Sequence, residues 1–372
     1  MEKTNLNILI ITVRADFGGG PEHIYSLIKE LYKENNFYIA CPDDVPYKKN
    51  YAEILGEDRI ILIPHRKFKL SCLFKLKGFA KHNRINIIHS HGKGAGIYGR
   101  LLSLFTGIPC IHTFHGLHTG SYSRYQKLLY IFLERILSSF TEKYISVSSG
   151  ECNEMIENKI SNAQKMTVIE NGVDIPDLTI SEDNFFISPK ILITFTRYNY
   201  QKNSSQLIFI FEELKKQKKA DFFKIVLLGS GEEENEIQNM CRKYNLSSSF
   251  NFKGMVENRF DYLRNSFCYI STSRWEGMPL SILEAMSFGV PVIASNVVGN
   301  NNIVDHEKTG FLYNSDDPKE AAGYIISLSE NFELWKAFSA ASRNKIQLNF
   351  SLKKMAAETQ KIYNSILEKP II

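Results

Sequence analysis

The 372-residue chain has six cysteines but no Cys-x-x-Cys and no paired spacing among them. That argues against a disulfide framework and for reduced, mostly buried thiols of a cytoplasmic protein. No apolar run reaches the roughly 18 residues that would suggest a membrane-spanning helix. Met1-Glu2-Lys3-Thr4-Asn5 leads straight into a strand-like run, so no secretory signal is expected. The glycine turn after the first strand, Gly18-Gly19-Gly20, lacks the Gly-x-Gly-x-x-Gly spacing, which disfavours a dehydrogenase, and a P-loop signature is missing, which disfavours a P-loop ATPase. Asp-x-Asp is absent as well. Acidic side chains are missing altogether from Arg59 to Leu133, a stretch with twelve Lys or Arg and seven of the nine histidines. Such a field favours an anionic partner, whether a phosphorylated substrate, an anionic membrane surface or nucleic acid.

What is present is ordinary for a globular protein. Hydrophobic residues make up 44% and charged residues 23%, with a net charge of +5. One domain per ~150 residues predicts two or three domains. Leu6 to Val13 is a continuous apolar run, the mark of a strand buried on both faces. The glycine turn Gly18-Gly19-Gly20-Pro21 follows, then a helical pattern from Glu22 to Tyr32. Short strands alternate with helices up to a strand at Lys165 to Ile169. The turn Asn171-Gly172-Val173-Asp174 and a polar stretch with two prolines follow, and the domain boundary is expected there, near residue 180. The alternation restarts at Lys190 and runs to three helical patterns, the last from Leu352 to Leu367. Two Rossmann-like α/β halves with mostly parallel sheets are predicted, with a ligand at the carboxyl ends of the strands.

The organising stretch is Trp275 to Met286. A strand leads into a loop carrying Glu276, Gly277 and Met278. Pro279 is expected at the first helical position, ahead of Leu280 and Glu284. A helix N-terminus favours anions by ~0.3–1 kcal/mol per charge. With two carboxylates beside it, a ligand carrying both phosphate and hydroxyls is expected, such as a nucleotide sugar. Arg197 and Lys202 flank the loop after the first strand of the second half. They can neutralise a diphosphate, each charge-assisted bond contributing ~1.5–3 kcal/mol. Gly229-Ser230-Gly231 ends the next strand and reads either as an ordinary turn or as a wall for the nucleotide. His115-Gly116 ends a strand of the first half, and His91-Gly92 the one before it. Metal binding by His112, His115 and His118 is disfavoured, because strand alternation sends His112 and His115 to opposite faces.

Taken together these stretches resemble the retaining glycosyltransferases of family 4, which have the GT-B fold: two Rossmann-like domains facing each other across a cleft. The family's Glu-x7-Glu motif matches Glu276 to Glu284, its Arg and Lys pair resembles Arg197 and Lys202, and its His-Gly resembles His115-Gly116. The resemblance implies an N-terminal acceptor-side domain over 1–180, a nucleotide-sugar domain over 181–349, and a C-terminal helix (350–372) that returns to the first domain. It implies that Arg197 and Lys202 hold the donor diphosphate and Glu284 the ribose. Glu276 would bind the transferred sugar, and His115 would face it. Gly18 and Gly19 would lie near the donor phosphate and acceptor. Gly229, Gly231, Gly277, Met278, Pro279 and Leu280 complete the expected donor site. The family pattern departs at Asn302, where an acid is usual, and at Phe195-Thr196, where a glycine is common.

The expectation is a metal-independent hexosyltransferase with no cofactor, using a UDP-linked sugar. The acceptor would be a lipid-linked or surface-polysaccharide glycan, such as a polyprenyl-diphosphate intermediate. Nucleic acid is not an expected partner. The enzyme would be cytoplasmic and peripheral on the inner face of the membrane, with the apolar, cation-bearing segment Tyr122 to Leu137 read either as a docking helix or as an ordinary half-buried one. A nucleotide-sugar epimerase of the same fold and a non-catalytic binding protein are the competing readings; turnover without acceptor, or none, would mark them.

Overall fold

The computed structural model describes residues 5–117, 122–256 and 258–367. They form two compact units, residues 1–172 with 352–372, and residues 173–351.

The first unit runs β1 (Leu6–Thr12), α1 (Gly19–Leu31), β2 (Asn35–Cys41), α2 (Tyr47–Leu55), β3 (Ile60–Leu62), α3 (Leu70–His82), β4 (Ile87–His91), α4 (Lys93–Thr106), β5 (Cys110–Thr113), α5 (Arg124–Ser138), β6 (Lys143–Ser146), α6 (Ser149–Glu157) and β7 (Met166–Val168). Its strands make one seven-stranded parallel sheet in the order β3-β2-β1-β4-β5-β6-β7. The period of two along β1 divides the core. Ile8 and Ile10 pack with α1, α2 and the C-terminal helix, whereas Leu9 and Ile11 pack with α3 and α4. α5 joins the α3–α4 side. Its Ile131 packs with Tyr144, the strand neighbour of His112, and its Glu134 pairs with Arg100 of α4 at 2.5 Å.

The second unit runs α7 (Asp183–Phe186), β8 (Lys190–Phe195), α8 (Gln206–Lys216), β9 (Phe223–Leu228), α9 (Glu234–Lys243), β10 (Phe250–Gly254), α10 (Arg259–Arg264), β11 (Cys268–Ser271), α11 (Leu280–Ser287), β12 (Val292–Ser295), α12 (Asn300–Ile303), β13 (Gly310–Tyr313), α13 (Pro318–Glu330) and α14 (Phe332–Asn349). Its six-stranded parallel sheet has the order β10-β9-β8-β11-β12-β13. The closing helix α15 (Leu352–Leu367) belongs to the first unit, where Leu352, Met355, Tyr363 and Ile366 enter the core beside α1.

The division falls eight residues before the expected boundary. Val173 donates its N–H to Phe350 and Ile180 donates to Phe288, which fastens residues 173–180 to the second unit. The polar stretch after them is not all loop, since it holds α7, whose Phe185 is buried against Phe267 and Trp335. All six cysteines are free thiols, and five are buried. Among the described residues no helix is long and apolar enough to cross a membrane.

Candidate active site

In both sheets the strand order reverses beside the first strand: between β1 and β4, and between β8 and β11. Loops leaving the carboxyl ends of such a strand pair diverge and open a crevice. In the second unit those loops are Thr196–Asn203, after β8, and Thr272–Pro279, after β11. They carry Arg197, Lys202 and Glu276.

The structure joins these residues. Lys202 Nζ lies 2.7 Å from Glu276 Oε1, and the same oxygen accepts from Ser273 Oγ at 2.7 Å. Gln201 Nε2 donates to the Trp275 carbonyl at 3.1 Å and reaches Glu276 Oε2 at 3.4 Å. Arg197 approaches Gln201 Oε1 at 3.5 Å. The two loops are thus tied side chain to side chain, with Glu276 at the centre. The indole Nε1 of Trp275 is buried with no hydrogen-bond partner.

Two glycines bring a third loop against this pair. A Cβ on Gly229, at φ +130°, would lie 1.8 Å from the Thr196 carbonyl oxygen. One on Gly231 would lie 2.6 Å from the Tyr198 backbone. Only glycine permits that approach, so Gly229 and Gly231 set the position of the Arg197 loop. The helix beyond, α9, begins only at Glu234, and Glu233 before it donates its N–H to the Tyr198 carbonyl.

Pro279 is the N-cap of α11, in extended conformation, and not its first helical residue. Its carbonyl accepts the N–H groups of Ile282 and Leu283. Gly277 and Met278 lie in the loop before it, Met278 buried, and Leu280 starts the helix. Glu284, one turn in, is 7% exposed and held by Arg259 of α10: Nη2 to Oε1 at 2.7 Å and Nε to Oε2 at 3.2 Å. No sequence signal marked Arg259, which sits 25 positions away on a six-residue helix. Asn302, at the usual acid position, accepts the N–H of Gly299 at 3.2 Å and closes a turn that packs on Glu276. Glu276 in turn donates its N–H to the Val298 carbonyl at 3.1 Å.

In the first unit, the loops after β1, β4 and β5 assemble a second group. α1 begins at Gly19, three residues earlier than the sequence pattern, so Gly18 is its N-cap and Gly19 lies in its first turn. The helix N-terminus follows β1 after the loop 13–18, an anion-favouring position. His115, in the left-handed conformation at φ +61°, shares a 3.0 Å hydrogen bond with His91 Nδ1. His23 of α1 stacks edge-on against His115 at 4.7 Å and is held by Asn171 Oδ1 at 2.9 Å. Ring nitrogens of His23, His91 and His115 come within 4.8 Å of one another. On sequence, metal binding by His112, His115 and His118 is disfavoured because His112 and His115 face opposite ways. His112 points to the other face of the sheet, bonded to Ser90 Oγ at 2.8 Å, and His118 lies outside the described residues. Burial holds His91 well below the ordinary histidine range, with further lowering from His89, so it is neutral. Burial likewise lowers His23 to about 4. Gly116 donates its N–H to Glu151, a buried carboxyl that burial lifts to about 7 against three hydrogen bonds that lower it. Glu151 was not singled out from sequence, where it reads as a helix-start acid.

Comparisons with known proteins agree with this architecture. Residues 17–176 match the model described as Glycosyltransferase Family 4, and residues 179–345 match Glycosyl transferases group 1. A UDP-Gal:alpha-D-GlcNAc-diphosphoundecaprenol alpha-1,3-galactosyltransferase of Escherichia coli is 29% identical over 79% of this chain and 79% of its own. An O-antigen biosynthesis glycosyltransferase of Escherichia coli, WbnH, is 24% identical over 86% of this chain and 89% of its own. Among solved structures, Anabaena HepE in complex with UDP and glucose superposes with a TM-score of 0.85 at 18% identity, covering 97% of this chain and 100% of that one. Sucrose-phosphate synthase from Thermosynechococcus elongatus gives 0.83 at 18% identity, covering 98% and 99%. The chain has the GT-B fold and belongs to the group 1 glycosyltransferases of family 4.

Proposed function

We propose that this glycosyltransferase moves a hexose from a UDP-linked donor to a hydroxyl of a lipid-linked glycan, with retention at the anomeric carbon. The observation that carries the reading is the convergence of Lys202 and Glu276 at the strand-order reversal of the second unit, with Arg197 on the same loop. One cation-rich loop and one carboxylate-bearing loop meet there, as a diphosphate next to a sugar requires. Arg197 and Lys202 take the leaving diphosphate charge, aided by the N-terminus of α11. Protein cations then do the work a divalent metal does elsewhere, and no metal is needed. Glu284, oriented by Arg259, accepts from the ribose hydroxyls. Glu276 binds the hydroxyls of the transferred sugar. In the first unit, His115 contributes a polar contact to the sugar, and Gly18 and Gly19 bind near the donor phosphate and acceptor.

Retention follows if the acceptor attacks the face the nucleotide leaves, through an oxocarbenium-like transition state. The leaving β-phosphate takes the acceptor proton in this scheme. The lipid-linked acceptor is supported by the diphosphoundecaprenol acceptor of the galactosyltransferase relative, and the UDP donor by that relative's UDP-Gal and by the ligands of HepE. The enzyme is read as cytoplasmic, with its acceptor at the inner face of the membrane.

A thermal-shift screen of UDP, GDP and dTDP sugars tests the donor site. A ligand at 100 times its Kd stabilises by ~2.7 kcal/mol. A UDP sugar should raise the melting temperature of the wild type and fail to do so in Arg197→Ala. No shift with any nucleotide sugar would sink the reading.

A further inference from the structure

We propose that the outward side of α3, α4 and α5 is a docking surface for an anionic phospholipid bilayer. This deepens the lipid-linked acceptor reading and rests on it for its purpose. α5 turns Tyr125, Leu128, Leu129, Phe132, Leu133 and Ile136 to solvent, each between 47% and 83% exposed. Steps of three and four residues make them one continuous apolar stripe. The helix is anchored from the other side, where Ile131 and Glu134 are buried. α3, in the same layer of helices, exposes Leu70 and Phe74 at 57% and 63%, with Phe68 just ahead of it. A contiguous apolar face of this kind on a folded chain marks an interaction surface.

Charge identifies the occupant. No Asp or Glu occurs from Arg59 to Leu133, a span that takes in all of α3 and α4 and most of α5. The first acid beyond it, Glu134, is 2% exposed and turned inward on Arg100. Arg124 and Arg135 share the helical stripe of Leu128 and Phe132 and bracket it at both ends. On α3, Lys77 and Lys81 continue the stripe of Leu70 and Phe74. Exposed aromatic and aliphatic side chains flanked by cations, with no carboxylate on α3, α4 or the solvent side of α5, suit acyl chains beneath anionic headgroups. A second copy of the same face would set cations against cations.

The test is flotation of the full chain with vesicles of phosphatidylethanolamine containing about one-third phosphatidylglycerol, against pure phosphatidylcholine. The wild type should float with the anionic vesicles, at least ~10-fold more than with phosphatidylcholine, and be released by salt. Leu128→Ser/Phe132→Ser should lose at least ~10-fold of the binding, and Arg124→Gln/Lys77→Gln should lose its preference for anionic lipid. Both variants should keep the wild-type melting temperature and turnover with a water-soluble acceptor. A wild type that stays unbound, or a serine variant that floats as well as wild type, overturns the surface. So does a dimer in sedimentation that Leu128→Ser/Phe132→Ser disperses, which would make the occupant a second copy. Normal flotation with no transfer from any nucleotide sugar would support the surface and refute the catalytic reading instead.

Discussion

Lys202→Met removes one charge and keeps the aliphatic stem. In the structure Lys202 is bonded to Glu276 at 2.7 Å, and both side chains are largely buried, at 17% and 9% exposure. The variant has two consequences that can be separated. Glu276 loses its cation but keeps Ser273 Oγ at 2.7 Å and Gln201 Nε2 at 3.4 Å, so its position is partly maintained. The leaving diphosphate loses a charge-assisted hydrogen bond of ~1.5–3 kcal/mol in a partly desolvated site. At the upper end that is a ~10²-fold loss of kcat/KM. A continuous assay of nucleotide release, run on wild type, Lys202→Met, Glu276→Gln and the double variant, tells the two effects apart. If Lys202 acts on the diphosphate, adding Lys202→Met to Glu276→Gln costs at least a further ~10-fold. If Lys202 only positions Glu276, the double variant equals Glu276→Gln. That equality, or a single variant within about threefold of wild type, would refute the diphosphate role.

Three further outcomes are expected. Arg259→Ala leaves Glu284 without its two-point partner, so donor affinity should weaken by about tenfold, ~1.4 kcal/mol, measured by calorimetry with UDP; an unchanged Kd contradicts the orienting role. Glu134→Ala strands the fully buried Arg100 and should cost ~3–5 kcal/mol of stability, read as a lower urea midpoint; an unchanged midpoint would contradict the pairing. Acid should destabilise the first unit. Burial lowers His23 to about 4 and His89 to about 3, so both stay neutral in the fold while the unfolded chain takes up protons below 6.5. Each therefore loses about 1.4 kcal/mol of stabilising effect by pH ~5.5. His91 and His112 act in the same direction. Glu151, lifted to about 7, opposes them with about 2 kcal/mol on the same descent, because the fold then holds its proton more tightly than the unfolded chain. Four histidines outweigh one carboxyl, and a urea midpoint that does not fall between pH ~7.5 and ~5.5 would contradict the balance.

Much of the fold is legible because a parallel sheet buried on both faces writes its strands as short apolar runs. Phe223–Leu228 and Cys268–Ser271 are strands over the very residues their composition marks. α2 escapes that logic: only Tyr47, Tyr51 and Leu55 are buried, with lysines and asparagine between them, so it reads as a polar loop. α7, α10 and α12 are too short for a helical period to show, and packing alone decides them. At the site, Arg197, Lys202, Glu276 and Glu284 stand out because each lies where a strand ends or a helix begins. Arg259, His23 and Ser273 become site neighbours only through tertiary contact. Pro279 marked the right turn one position out, since a proline serves as N-cap as well as first helical residue.

The proposed reaction is a retaining transfer from a UDP sugar. It is tested most directly by incubating the enzyme with a panel of UDP hexoses and a polyprenyl-diphosphate-linked acceptor, then reading the anomeric coupling of the new linkage by NMR. An α-linked product from an α-linked donor is expected. A β-linked product, or no transfer from any of the donors, would contradict it.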